Sequence, residues 1–409
     1  MRIIAIPKFD DVAASLAAAE ATVKPADRKR QYDQLKKARQ AKRRRGTLTT
    51  MSVAEEALEP HNVVASPRED NVLTGAFIVE GSGTTLEAMQ KDLPEYHVVE
   101  DYEISLIPPV KRGKRSLGEA TAASPIDLWH LATIRLLEAR ALNFVGKGEG
   151  SIIAVLDTGI ENVAEIKGKI DRAIEFDADG KWKKVATKDT QGHGTHVSGL
   201  ICGNTVGVAP GAKVAGITMI PGGRGMVSDF IQALEYVAQQ PEIAIVNMSA
   251  GIPGFRPEMR AAVRTLRSVG VLPVVAVGNE GKNTSRSPGN YAEVLTIGAS
   301  TKDAKVWSSS GGGEMLVDNM SFKIPDCVAP GAGVVSCVMG GGYEAWDGTS
   351  MATPIVSGIA ALIVEKHPGI ALPDLEQEIL GACVSIGAPP VREGAGLVQV
   401  PHSLWNPSS

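Results

Sequence analysis

Three glycine-dense stretches of this 409-residue chain carry side chains that could do nucleophilic chemistry together. Ser-Ile-Ile-Ala-Val-Leu-Asp157-Thr-Gly places a carboxylate where an apolar strand would end. Gln191-Gly-His193-Gly-Thr-His196-Val-Ser-Gly places an imidazole at the start of a helix. Asp347-Gly-Thr-Ser350-Met-Ala-Thr-Pro354 places a hydroxyl at the start of another, with a proline expected in its first turn, where a missing N–H does no harm. A serine hydroxyl is a poor nucleophile until a base takes its proton, and the base needs a carboxylate to fix its tautomer and stabilise the imidazolium. Each motif also has a plainer reading. Asp-Thr-Gly is half of an aspartic-protease site, but no second copy supplies the partner carboxylate. His193 and His196 at i,i+3 suit a metal, but the glutamate of a His-Glu-x-x-His pattern is absent.

Taken together, in the order Asp157, His193, Ser350, these motifs resemble the subtilisin-like serine proteases over roughly Pro125 to Val400. The resemblance implies an α/β subtilisin-like fold, peptide-bond hydrolysis through an acyl-enzyme, and His193 rather than His196 as the base. It also implies that Asn279, in Val277-Gly-Asn-Glu-Gly281, joins the Ser350 N–H in an oxyanion hole, where preorganised donors stabilise developing charge. Gly222-Gly223-Arg224-Gly225 and Asn247-Met-Ser249-Ala250-Gly251 match the two segments that sandwich an extended substrate as an added strand. Ser285-Arg286-Ser-Pro-Gly-Asn-Tyr291 matches the loop lining the first specificity pocket, with Arg286 where many members carry a small residue. Pointing inward, Arg286 would favour Asp or Glu before the cut; turned to solvent, it would not.

The stretch from His196 to Val208-Ala209-Pro210 is shorter than in secreted bacterial members, so their calcium loop is expected to be missing. A calcium site elsewhere stays open, because its oxygen ligands can come from any carbonyls, and no organic cofactor is required. Residues 71–115 resemble the later part of a subtilase propeptide, completed by a strand at 2–6 and a helix at 10–21, while the rest of 1–70 matches nothing nameable. Pro108-Pro109 and the charged, small-residue stretch to Ser124 read as a linker, with processing expected in 116–124. Self-cleavage at Glu119-Ala120 fits an acidic preference, and a cut after Arg115 is the rival. A self-processing zymogen is therefore expected. Two other readings stay open: a peptide-maturation enzyme acting as ligase or cyclase, and a catalytically idle scaffold held shut by residues 1–115.

The elements that must position these groups alternate. Short apolar strands are predicted at 151–156, 214–219, 243–248, 271–277 and 294–297, with helices at 194–202, 228–239, 257–269, 353–366 and 374–382. Strands too apolar to have a wet face, alternating with helices, predict a mostly parallel sheet covered on both faces over 125–405, with chemistry at the strands' carboxyl ends. A further strand at 75–80, a helix at 84–93 and a single strand at 96–107 predict a small α+β module ahead of it. Glycine is 44 of 409 residues, about 11% against a usual ~7%, which fits many tight turns.

The formal net charge of -4 gives no whole-chain reason to expect nucleic acid as partner. Residues 24–45 nevertheless hold eleven Lys or Arg against two Asp, a local +9. That run reads either as a solvated helix or mobile arm, or as an arm that binds an acidic partner. The sequence has neither an apolar stretch long enough to span a bilayer nor a secretion-signal core at its start, so a cytoplasmic protein with no membrane partner is expected. Cys202, Cys327, Cys337 and Cys383 lack metal spacing and read as buried thiols, with a Cys327–Cys337 bridge as the minor option.

Overall fold

Alternation within the apolar strands decides the architecture. In Ile152–Asp157, Ile153 and Val155 enter one buried core while Ala154 and Leu156 enter another, because successive side chains leave a strand on opposite faces. The computed structural model, which describes residues 1–8, 24–44, 74–114, 128–142, 146–177 and 180–405, builds an eight-stranded central sheet from such segments. Across it run Cys327–Pro330, Leu295–Ser300, Leu272–Ala276, Ile243–Met248, Ile152–Asp157, Lys213–Thr218, Ile170–Phe176 and Trp182–Lys184. All neighbours pair in parallel except the last strand, which is antiparallel. Helices His193–Cys202 and Thr349–Lys366 cover one face, and Val227–Ala238 and Pro257–Ser268 the other.

The expected elements are present with ends shifted by a few residues, and the largest shift matters to the site. The helix read from 353 begins at Thr349, so Pro354 sits in its second turn rather than its first. Having no N–H, Pro354 leaves the Ser350 carbonyl without its intrahelical donor. Ser249 Oγ donates to that carbonyl instead, at 3.4 Å.

The N-terminal module is a three-stranded antiparallel sheet, with Arg2–Pro7 between Phe77–Glu80 and Tyr96–Glu100, backed by the helix Gly83–Asp92. Ile3, Ala5, Val79, Met89 and Val98 fill its own core. From the opposite face Ile4, Ile6 and Ile78 pack into the core shared with Phe230, Leu234 and Met259. The expected helix at 10–21 lies outside the described residues. The single strand expected over 96–107 is two, Tyr96–Glu100 and Glu103–Leu106, in different sheets. The break is at Asp101, whose buried carboxylate accepts hydrogen bonds from Ser228 N (3.0 Å) and Ser228 Oγ (2.7 Å) at the start of Val227–Ala238. The stretch read as a linker is also corrected in part. Val110–Lys114 is a strand, paired antiparallel with Tyr343–Asp347.

The basic run forms the helix Pro25–Arg44, and it is neither a free arm nor fully solvated. Arg28, Gln31 and Leu35 are buried along one face, while Lys29, Arg30, Lys36 and Lys37 are exposed. Arg28 donates from Nε to Val269 O (3.1 Å) and from Nη1 to Gln240 O (3.2 Å) and Pro241 O (2.6 Å). These carbonyls follow the C-termini of Pro257–Ser268 and Val227–Ala238, where helix dipoles favour a cation. Burial pushes the Arg28 guanidinium down to about 9. All four cysteines are free thiols, and Cys327 interacts with Cys383, not with Cys337.

Candidate active site

Asp157 ends a central strand and is buried, with its Oδ1 accepting the Thr158 N–H at 2.8 Å. His193 opens its helix, and its Nδ1 lies 2.8 Å from both Asp157 oxygens. The helix can start this close only because its second residue is Gly194, where a Cβ would lie 2.0 Å from Gly159 O. His193 Nε2 is buried with no hydrogen-bond partner among the described residues. His196 faces elsewhere. Its ring stacks on Trp346 at 4.1 Å, its Nε2 is 3.2 Å from Glu344 O, and burial holds its pKa well below the usual imidazole value.

A residue that sequence reasoning missed sets this corner. The buried Asp189 carboxylate accepts from Thr158 Oγ1 (2.7 Å), Gln191 N (3.0 Å), Gly192 N (2.8 Å), Thr195 N (2.8 Å) and Thr195 Oγ1 (2.6 Å). It thereby ties the Asp157 turn to the first turn of the His193 helix, whose N-cap residue, Gly192, has no side chain to do so. An aspartate a few residues before a Gly-His helix start was the available signal.

Ser350 is the second residue of its helix and fully buried. What covers it is the chain's own segment 103–109. Glu103–Leu106 is an antiparallel strand between Arg224–Met226 and Ala250–Pro253, with Ser105 opposite Arg224 and Gly251, and Ile107 N donates to Ser249 O at 3.2 Å. Ser350 Oγ therefore lies 3.3 Å from Ile107 O and 3.5 Å from Ser249 O, turned to the inserted segment and not bonded to His193. Asn279 Oδ1 accepts from Thr349 N and Thr349 Oγ1, both at 2.9 Å, which leaves Nδ2 to face the cleft and donate to Pro108 O at 3.0 Å.

The segments around Gly223, Gly225, Ser249, Ala250 and Gly251 thus meet on one extended peptide, with a Cβ at Gly223 reaching to 3.8 Å from the Leu106 side chain. Arg286 does not turn to solvent. Its Nη1 donates to Gly251 O at 3.0 Å, and its Nε and Nη2 pair with Glu280 at 2.8 and 2.6 Å. Glu119 and Ala120 lie outside the described residues. In the short stretch after His196, buried Glu165 accepts from Thr205 N (2.5 Å), Val206 N (2.9 Å) and Tyr343 OH (2.7 Å), so a carboxylate holds that turn. Among the described residues no cluster of three or more His, Cys, Asp or Glu could hold a metal ion, and no helix is long and apolar enough to cross a membrane.

A mostly parallel α/β sheet, with a His–Asp pair at a strand's carboxyl end and a serine opening the central helix, defines a serine-hydrolase class of protein. Residues 148–396 match the subtilase family, and the chain belongs to it: it is a subtilisin-like serine endopeptidase. An intracellular serine protease of Paenibacillus polymyxa is 33% identical over 282 residues, spanning 65% of this chain and 83% of that protein. Subtilisin BL of Lederbergia lenta is 34% identical over 257 residues, 61% of this chain and 89% of that one. The major intracellular serine protease of Bacillus subtilis (strain 168) is 36% identical over 230 residues, 53% and 69% respectively.

Proposed function

We propose that Ser350 is the nucleophile, His193 its base and later the acid, Asp157 the group that orients His193, and Asn279 with the Ser350 N–H the oxyanion hole. In this reading the Ser350 hydroxyl rotates toward the unpartnered His193 Nε2, gives up its proton there and attacks the carbonyl before the cut. The imidazolium is stabilised by Asp157, then returns the proton to the leaving amine, and water repeats the cycle on the acyl-enzyme. The observation that carries the proposal is the delivery of a peptide carbonyl, Ile107 O, to 3.3 Å from Ser350 Oγ by a strand lying between both binding edges.

We further propose that this is a zymogen, closed by its own N-terminal module. The geometry supports occupancy without cleavage. The nucleophile addresses the Ile107 carbonyl while the Asn279 amide addresses the next one, Pro108 O, so attack and charge stabilisation fall on different carbonyls. Processing in 116–124, at Glu119-Ala120, remains the proposed opening step. With 103–114 paired on both sides of Ser350, that step requires the segment to leave first or a second molecule to make the cut. An acidic preference at Arg286 is retained in a weaker form, because a substrate carboxylate would compete with Glu280 for the guanidinium. Action inside the cell is the location we propose, in line with the names of two relatives.

Fluorophosphonate labelling, intact mass and N-terminal sequencing of wild type beside Ser350→Ala test these assignments. Label on Ser350 in wild type alone, with an N-terminus at Ala120 that Ser350→Ala lacks, is the expected result. A purified Ser350→Ala protein still clipped there would overturn self-processing, and an unlabelled Ser350 in wild type freed of its N-terminal module would overturn the nucleophile. Asn279→Ala is expected to lower turnover by about 10²–10³-fold, the loss found when such a donor is removed from subtilisin.

A further inference from the structure

Beyond Ile107 and Pro108 the inserted segment meets Tyr343–Asp347, which ends three residues before Ser350, and it brings basic side chains there. Val110–Lys114 lies on it as an antiparallel strand, with Lys111 opposite Trp346 and Val110 opposite Asp347. The Lys111 ammonium sits 4.5 Å from the Trp346 ring centroid, within cation–π range. The His196 ring stacks on that indole with centroids 4.1 Å apart, so Trp346 is held as a platform. Arg112 Nε donates to Asp347 Oδ1 at 2.6 Å. Only 9% of the Asp347 side chain is exposed, and its other donor is the backbone N–H of Gly333 at 2.5 Å. A carboxylate this sheltered is costly without a cation beside it, and the cation comes from the very segment that must vacate the cleft before a substrate can enter.

From this, and resting on the reading of Ser350 as nucleophile and 103–114 as a peptide lying in the substrate path, we propose that Trp346 and Asp347 are specificity-determining residues. They select protein substrates with lysine or arginine a short way beyond the cut. Counted from Ile107, whose carbonyl meets Ser350 Oγ, Lys111 and Arg112 are the fourth and fifth residues; counted from Pro108, on Asn279, they are the third and fourth. A basic stretch at positions three to five after the cut therefore replaces both contacts. More than half of the Arg112 side chain is exposed, and this screening limits the expected effect to about tenfold.

The test uses the full chain as wild type, Arg112→Ala and Asp347→Asn, each with two internally quenched peptides. The peptides are identical up to the cut and carry Lys-Lys-Arg or Ala-Ala-Ala at positions three to five beyond it, and Ser350 labelling is followed in the same samples. We expect wild type and Arg112→Ala to cut the basic peptide with about tenfold higher kcat/KM, and Asp347→Asn to bring that ratio below about twofold. Equal cutting of the two peptides by wild type and Arg112→Ala, or a ratio preserved in Asp347→Asn, overturns this inference while leaving the nucleophile assignment intact. Absence of both cleavage and Ser350 labelling in chains from which the N-terminal module has been cut and separated overturns that assignment itself.

Discussion

Replacing Asp189 by alanine should cost more stability than any surface change, although the residue takes no part in bond making. Its carboxylate accepts five hydrogen bonds, two from hydroxyls and three from the backbone N–H groups of Gln191, Gly192 and Thr195. The hydroxyls of Thr158 and Thr195 can rotate toward other acceptors, and Gln191 is near enough to the surface to find water. Gly192 and Thr195 are buried and cannot. At about 1–3 kcal/mol for each buried donor left unsatisfied, those two alone give about 2–6 kcal/mol, a large part of a typical folding free energy. Urea unfolding of Asp189→Ala in a Ser350→Ala background, where self-digestion cannot interfere, measures it. Asp189→Asn should fall between the two, because its amide keeps one acceptor and turns an N–H₂ toward donors. A loss under about 1 kcal/mol for the alanine variant, or an asparagine variant as stable as the parent, would show that this carboxylate does not hold the His193 turn.

Three other outcomes follow from contacts already described. Arg28→Met removes three hydrogen bonds to helix-end carbonyls and should speed both amide exchange over 25–44 and fluorophosphonate labelling of Ser350; unchanged rates for both would detach this helix from closure. Glu280→Gln frees the Arg286 guanidinium of its charge partner and should raise cleavage after Asp and Glu relative to cleavage after Phe, which a peptide library reads directly; an unaltered profile counts against Arg286 as a pocket residue. His196 stays neutral in the fold, well below 6.5, but takes up a proton near 6.5 when unfolded, so the unfolded chain binds more protons below that pH. Stability of Ser350→Ala should therefore fall on acidification below 6.5, by about 1.4 kcal/mol per pH unit from this group, and His196→Phe should show a shallower slope in denaturant midpoints against pH.

Much of the catalytic half was readable because its signals are local. Apolar strands with no wet face specify a parallel sheet covered on both sides, and glycines around Asp157, His193 and Ser350 mark close backbone approaches that few other arrangements need. What stayed hidden depends on contacts between distant segments. Nothing in the composition of 108–114 distinguishes a linker from a strand, since its pairing is supplied by Tyr343–Asp347, more than two hundred residues away. The helix Pro25–Arg44 looks fully solvated by charge alone, and only the carbonyls at residues 240, 241 and 269 give Arg28 a reason to be buried. The division of 96–107 into two strands likewise follows from Asp101 meeting Ser228, a partner that short-range periodicity does not reveal.

The stretch from Glu103 to Lys114 is stitched to one sheet before Ser350 and to another after it. Severing the backbone further along would therefore not by itself empty the cleft, since neither set of ladder bonds runs through the severed link. A nicked molecule would keep its plug until dissociation carried it away, and dilution, which has no effect on an intact chain, would then set how much of it stays open by suppressing rebinding. Breaking the link and gaining activity become two separable events, the first timed by chemistry and the second by dissociation, with concentration setting how far it goes.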